Sequence, residues 1–221
     1  MAQPQGIDVS HWQGDVDWAK VRAAGKVAAW AKASQGANIR DSRWSDGRRK
    51  AAADAGVHLG AYCFADLTQS PAANAKNLLD AIGGVIRRGE LLPALDVESG
   101  GLTNSMSAQS IVQWCNAFAA EFNKNITGPL VLYTDHGTLI NRMAGGKGLQ
   151  QAFPYLWIAR YTNAADPGET GVWPTWHAWQ YSQTGTCDGI AGNVDLDRFR
   201  DDRSEEHTSE LQSHHDLVCR L

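Results

Sequence analysis

Two acids, Asp96 and Glu98, sit two residues apart in "LLPALDVES" (residues 91–99), a stretch otherwise apolar enough to read as a buried strand. Side chains alternate along a strand, so the two carboxyls share one face and Val97 takes the other, with about 6.6 Å between their backbone positions. Each charge opposes ionisation of the other, and partial burial acts in the same direction, so one of the pair keeps a proton near neutral pH. A protonated acid beside an ionised one suits glycosidic bond cleavage: one group protonates the leaving oxygen while the other stabilises positive charge on the sugar ring. The separation lies nearer the inverting range than the direct-nucleophile range, a rule from which substrate-assisted enzymes are exempt. Any single acid at a strand end has a plainer role as a helix cap or an arginine partner. A pair inside one apolar strand is harder to explain that way.

Further acids sit in strand-like segments far along the chain, Asp8 in "GIDVS" and Asp195 in "NVDLD". They meet the pair only if the intervening elements close on themselves. Apolar and helical segments do alternate. "DVDWAKVRAAG" reads as a helix capped by Asp17 and stopped at Gly25, "SDGRRKAAADAG" as one closed by Gly56, and "SPAANAKNLLDAI" as one opened by Ser70 and Pro71. A longer helix spans about Ser107 to Asn123, where Ile111, Trp114, Cys115, Phe118 and Phe122 form one apolar face. Between them run "KVAAWAKASQG", "VHLGAYCFAD", "GPLVLYT", "YLWIARY", "HAWQYS" and "NVDLDRF" as strands. The expected fold is α/β, an irregular (β/α) barrel of eight strands with helices mainly among the first five. Chemistry in such barrels collects at the C-terminal ends of the strands, and the first and eighth strands adjoin on closure. Asp8, Asp96, Glu98 and Asp195 are thereby expected at one rim.

Composition narrows the function classes. The chain has 221 residues, 43% of them hydrophobic, enough to close one core. No apolar run reaches the roughly 18–20 residues of a membrane span, and the N-terminal "MAQPQGIDVSHWQG" has neither a basic nor an apolar leader region. A net charge of −4 argues against nucleic acid. Four cysteines at 63, 115, 187 and 219 are scattered singly and read as reduced, structural thiols. His11 and His58 lack His-x-His or His-Glu-x-x-His spacing, so neither a metal nor another cofactor is expected. Tyr62, Tyr133, Trp157, Tyr161, Trp179 and Tyr181 lie near strand ends, where rings can stack on sugars or pack the core. Trp12, just after the first strand, is open to the same two readings.

The ordered set "GIDVSHWQG", "AWAKASQG", "GAYCF", "LPALDVES", "LYT", "LWIARY", "AWQYS" and "NVDLDRF" resembles the glycoside hydrolase family 25 lysozymes over about residues 6–199. The resemblance implies hydrolysis of the β-1,4 bond between N-acetylmuramic acid and N-acetylglucosamine in peptidoglycan. It implies Glu98 as general acid/base and Asp96 as the residue orienting the substrate N-acetyl group. It also implies Asp8 and Asp195 as rim acids, and a substrate-binding wall of Tyr62, Tyr133, Trp157, Tyr161 and Gln180. Gln35 and Cys63 stand where the family often has Glu and His, departures expected to alter cleft contacts. Two other functions compete. A catalytically silent peptidoglycan-binding barrel would have no need of the Asp96/Glu98 pair. A chitinase-like hydrolase would extend it to Asp-x-x-Asp-x-Asp-x-Glu, whose two earlier acids fall here on Leu91 and Ala94.

Residues 1–202 are read as the catalytic barrel. The segment "RSEEHTSELQSHHDLVCRL" (203–221) resembles a translated sequencing adapter and is read as a non-native tail. It holds two basic and four acidic residues, leaving the barrel 18 basic and 20 acidic, a net charge of −2. So small a charge gives little long-range pull toward an anionic wall. The expectation is a monomer whose natural gene continues into a wall-binding module, acting either as a phage enzyme held in the cytoplasm until release or outside the cell.

Overall fold

The computed structural model describes residues 3–200; the proposed tail lies outside them. Nine strands appear in chain order: β1 (Gln5–Val9), β2 (Lys26–Gln35), β3 (Ile39–Arg40), β4 (His58–Phe64), β5 (Ala94–Asp96), β6 (Val131–Asp135), β7 (Tyr155–Ala159), β8 (Ala178–Gly185) and β9 (Val194–Phe199). Five helices accompany them: α1 (Trp18–Ala23), α2 (Asp46–Asp54), α3 (Pro71–Ile82), α4 (Ala108–Phe122) and α5 (His136–Asn141). The order β1-β9-β8-β7-β6-β5-β4-β2 is closed by a β1–β2 pairing, giving the expected eight-stranded barrel, with the two-residue β3 hung on β2. The helices follow the first strands as expected, and the β7-to-β9 side has none. No helix among the described residues is long and apolar enough to cross a membrane.

Local chemistry sets the helix ends. Asp17, Ser45 and Ser107 each accept a backbone N–H from the first turn of α1, α2 and α4. Pro71 opens α3, and Gly83 closes it in the left-handed conformation that glycine adopts without strain. Apolar side chains then sort into layers. Trp30, Trp157, Phe199, Tyr133 and their neighbours fill the barrel interior, and Trp30 stacks on Trp157 at 4.3 Å between ring centres. Two outer clusters join the strands to the helices, one of them holding Ile111, Cys115, Phe118 and Phe122 of α4. Cys63, Cys115 and Cys187 are buried free thiols, consistent with the structural role read from their spacing.

Three sequence expectations need correction. "LLPALDVES" is strand only over Ala94–Asp96, and Glu98 stands beyond it at the start of a 3-10 turn, Ser99–Gly101. β6 extends past "GPLVLYT" to Asp135 and runs directly into α5, a helix absent from the elements expected between "GPLVLYT" and "YLWIARY". The eighth barrel strand, β9, runs antiparallel to both β8 and β1. Asp195 therefore lies near the N-terminal end of its strand, and only because the strand is reversed does it meet Asp8, its register partner.

Candidate active site

The cleft opens where β1, β2, β4 and β5 end and β9 begins. Asp8, Asp96, Glu98 and Asp195 all line it, together with Tyr62, Tyr133, Trp157 and Gln180. Each reaches the cleft by alternation: Tyr133 and Trp157 continue the interior faces of β6 and β7, and Gln180 is the inward residue between Trp179 and Tyr181. Trp179 points outward into the outer core, its indole N–H donating to Arg160 O at 2.8 Å, and Tyr181 packs beside it. These two aromatics are not cleft residues. Cys63 likewise faces the outer core between the cleft residues Tyr62 and Phe64, so it alters no cleft contact. Burial pushes its thiol up to about 12.

Gln180 organises one wall. Its Nε2 donates to Asp8 Oδ2 at 2.7 Å, and its Oε1 accepts from Tyr133 at 3.1 Å and Tyr161 at 2.7 Å. Tyr161 is held in this network while its ring remains half exposed. Burial raises Asp8 well above the usual carboxylate range, with Asp197 and Asp195 adding repulsion that the Gln180 bond only partly offsets. Asp195, the register partner of Asp8, is also raised by burial.

The opposite wall carries the acid pair. Asp96 is 4% exposed, and burial, reinforced by Glu98, holds its carboxyl well above the ordinary range while Lys32 pulls it down. Its Oδ1 has no hydrogen-bond partner among the described residues. Glu98 is more open to solvent and is raised too, by burial and then by Asp135, again against Lys32. The 3-10 turn that follows Glu98 is pinned from both sides. Gly101 N–H donates to Glu98 O and Leu67 N–H to Gly101 O, both at 2.9 Å. A Cβ at position 101 would run into the Ala65 carbonyl oxygen, so glycine is what lets the turn dock there.

Lys32 and Asp197 are site residues that the sequence reading did not name. Lys32 lines the cleft, donates to Gln35 Oε1 at 2.5 Å and lies over the Phe64 ring. Gln35 thus alters the cleft through its lysine partner. Trp12 lines the mouth on a 3-10 turn capped by Ser10 and Gln13 and is 82% exposed, an indole free to stack on a sugar face. His11 beside it is anchored by the buried Asp41 at 3.0 Å. Asp197, wholly buried on β9, accepts the Trp157 indole N–H at 2.8 Å, and burial raises it to about 7. The alternation of "NVDLD" had already put Asp197 on the same face as Asp195. No group of three or more His, Cys, Asp or Glu arranged to hold a metal ion occurs among the described residues.

A closed α/β barrel whose mouth gathers acids and aromatic rings has the form of a glycoside hydrolase. The Glycosyl hydrolases family 25 profile matches residues 7–190, and the chain belongs to that family. It is 36% identical to Lysozyme M1 of Streptomyces globisporus over 200 residues, covering 88% of this chain and 67% of that protein. It is 29% identical to the N,O-diacetylmuramidase of Chalaropsis sp, covering 86% of this chain and 95% of the other. The crystal structure of the bacterial lysozyme from Streptomyces coelicolor superposes with a TM-score of 0.82 at 33% identity, covering 90% and 93% of the two chains.

Proposed function

We propose that this chain is a muramidase that hydrolyses the β-1,4 bond between N-acetylmuramic acid and N-acetylglucosamine in peptidoglycan. The observation that carries the reading is the division of labour between two neighbouring acids. Glu98 is open to the cleft, while Asp96 is buried beneath it with a free carboxylate oxygen. With one proton between them, Glu98 delivers it to the leaving O4 of N-acetylglucosamine as the glycosidic bond breaks. The substrate's own N-acetyl oxygen closes on the anomeric carbon, and Asp96 accepts a hydrogen bond from the acetamide N–H, stabilising the oxazolinium-like intermediate. Ionised Glu98 then takes a proton from water, whose oxygen opens the ring from the same face and leaves the configuration retained. Tyr62 borders the cleft with part of its ring, while the buried Tyr133 and Trp157 form its floor. Asp8, Asp195 and Gln180 supply hydrogen bonds for the sugar hydroxyls, and Tyr161 braces Gln180. On this reading the protein acts at the bacterial wall.

Turbidity loss of purified walls, compared between wild type and Glu98→Gln, tests the assignment. General acid catalysis contributes about 10²–10⁴-fold, so clearing should fall by that much while the variant still co-sediments with walls. Mass analysis of the released ends should show N-acetylmuramic acid at the reducing position. Equal clearing by both proteins would remove Glu98 from the chemistry, and reducing N-acetylglucosamine would overturn the bond assignment.

A further inference from the structure

Asp135 ends β6, the strand next to the one that delivers the acid pair. In the β5–β6 ladder Asp96 lies opposite Tyr133, and Val97 N–H donates to Tyr133 O at 2.9 Å. Both backbones stay extended past that point, with φ/ψ of −138°/174° at Glu98 and −76°/152° at Asp135. Two residues further along, extended backbone returns to the same face of the pleat, so Glu98 and Asp135 emerge on one side just past the last pair of the ladder. That face is the barrel interior, as Tyr133 and Ala159, the β7 partner of Asp135, both show. Asp135 is also fixed in place: its Oδ1 accepts the Thr138 N–H at 2.9 Å and caps α5.

Like charges directly opposite on neighbouring strands repel, and the repulsion is relieved when one of them keeps its proton. The charged groups facing Glu98 are Asp135 from β6, Lys32 from β2, Asp195 from β9 and Asp96 from its own segment. Asp135 itself is bordered by His136 and, through it, by Arg160 at the end of β7. Among these, Asp135 is the carboxylate that acts most strongly on Glu98, ahead of Asp195.

We propose that Asp135 is a positioning residue: its carboxylate, on the same side as Glu98 just past the β5–β6 ladder, keeps the proton on Glu98 and thereby sets the upper pH limit of bond cleavage. The kinetic half of this statement rests on the muramidase reading. The proton-holding half is a property of the free protein and is tested without substrate.

Asp135→Asn and Asp135→Ser both remove the charge and keep a side-chain oxygen to cap α5. Carboxyl-carbon NMR titration, with the Glu98 resonance identified by its loss in Glu98→Gln, reads the proton directly. The Glu98 midpoint should fall by about 0.5–1.5 pH units in both variants, the size of one nearby charge in a partly solvated site. The alkaline limb of the wall-clearing profile should move down with it, while the plateau rate stays within about threefold. A Glu98 midpoint unchanged in the two folded variants would overturn the proposal. If wild type clears no walls, the muramidase reading fails, and the titration still decides whether Asp135 keeps the proton on Glu98.

Discussion

Asp8 and Asp195 face each other in register across the antiparallel β1–β9 pair, at opposite ends of the chain and at one side of the barrel mouth. Among the described residues neither has a lysine or arginine bonded to it; Gln180 supplies the neutral donor to Asp8. Burial raises both carboxyls, as it does Asp197 two residues further along β9, where Lys26 opposes the rise. Proton storage at this wall extends to higher pH than in free carboxylic acids.

That storage costs stability as pH rises. Asp197 holds its proton to about 7 in the folded barrel against an ordinary value of 3.8, so between those pH values the native state binds more protons than the unfolded chain. Stability then falls with rising pH and levels off above the folded value. Asp197→Asn can keep the acceptor for the Trp157 indole and removes the titration. Urea denaturation should show a decline between pH 4 and 8 that is smaller in the variant by about 2–4 kcal/mol. Parallel declines in variant and wild type would mean that Asp197 is ionised in the native barrel.

Gln35 tunes the acid pair through Lys32. The lysine ammonium lowers the proton affinity of both Asp96 and Glu98, and a neutral amide leaves that charge uncompensated. Gln35→Glu would place a carboxylate against the ammonium, weaken its pull on the acids and add a negative charge nearby. Both effects favour protonated Glu98. The alkaline limb of activity should rise by about half a pH unit, opposite in sign to the Asp135 variants. A downward shift would show that Lys32 does not act on the pair.

Gly101→Ala tests how tightly Glu98 is held. The added methyl meets the Ala65 carbonyl, so the turn must back away from the segment that follows β4. Overpacking of this kind costs about 1–3 kcal/mol. A shift of Glu98 of about 1 Å is enough to lower the rate roughly a hundredfold. The variant should remain folded by circular dichroism and lose most wall-clearing activity; full activity would show that the turn tolerates displacement.

The barrel was legible in the sequence because its strands are short apolar runs punctuated by caps that the structure uses, among them Asp17 for α1 and Pro71 with Gly83 for α3. Closure gathers Asp8, Asp96 and Glu98 at one rim, and the reversal of β9 brings Asp195 to them. Strand direction was harder to read, because alternation is the same in either sense. A signal was nevertheless present: only residues 186–193 join β8 to β9, fewer than the dozen or so that a parallel crossover needs. Asp135 directly follows "LYT", outside the apolar run that marks its strand, and nearness to a strand end does not say which face a ring takes, so the sequence leaves Trp179 and Tyr181 open between cleft and core. Asp197 escaped notice because a buried acid is recognised by its surroundings rather than its neighbours in the chain.

Reversal of the last strand also settles where the barrel's two tethers emerge. Gln5 pairs with Arg198, and Phe199 N–H donates to Pro4 O, so incoming and outgoing chain leave side by side at the pole remote from the acids. A polysaccharide strand laid across the mouth therefore does not meet the backbone of Pro4 and Phe199.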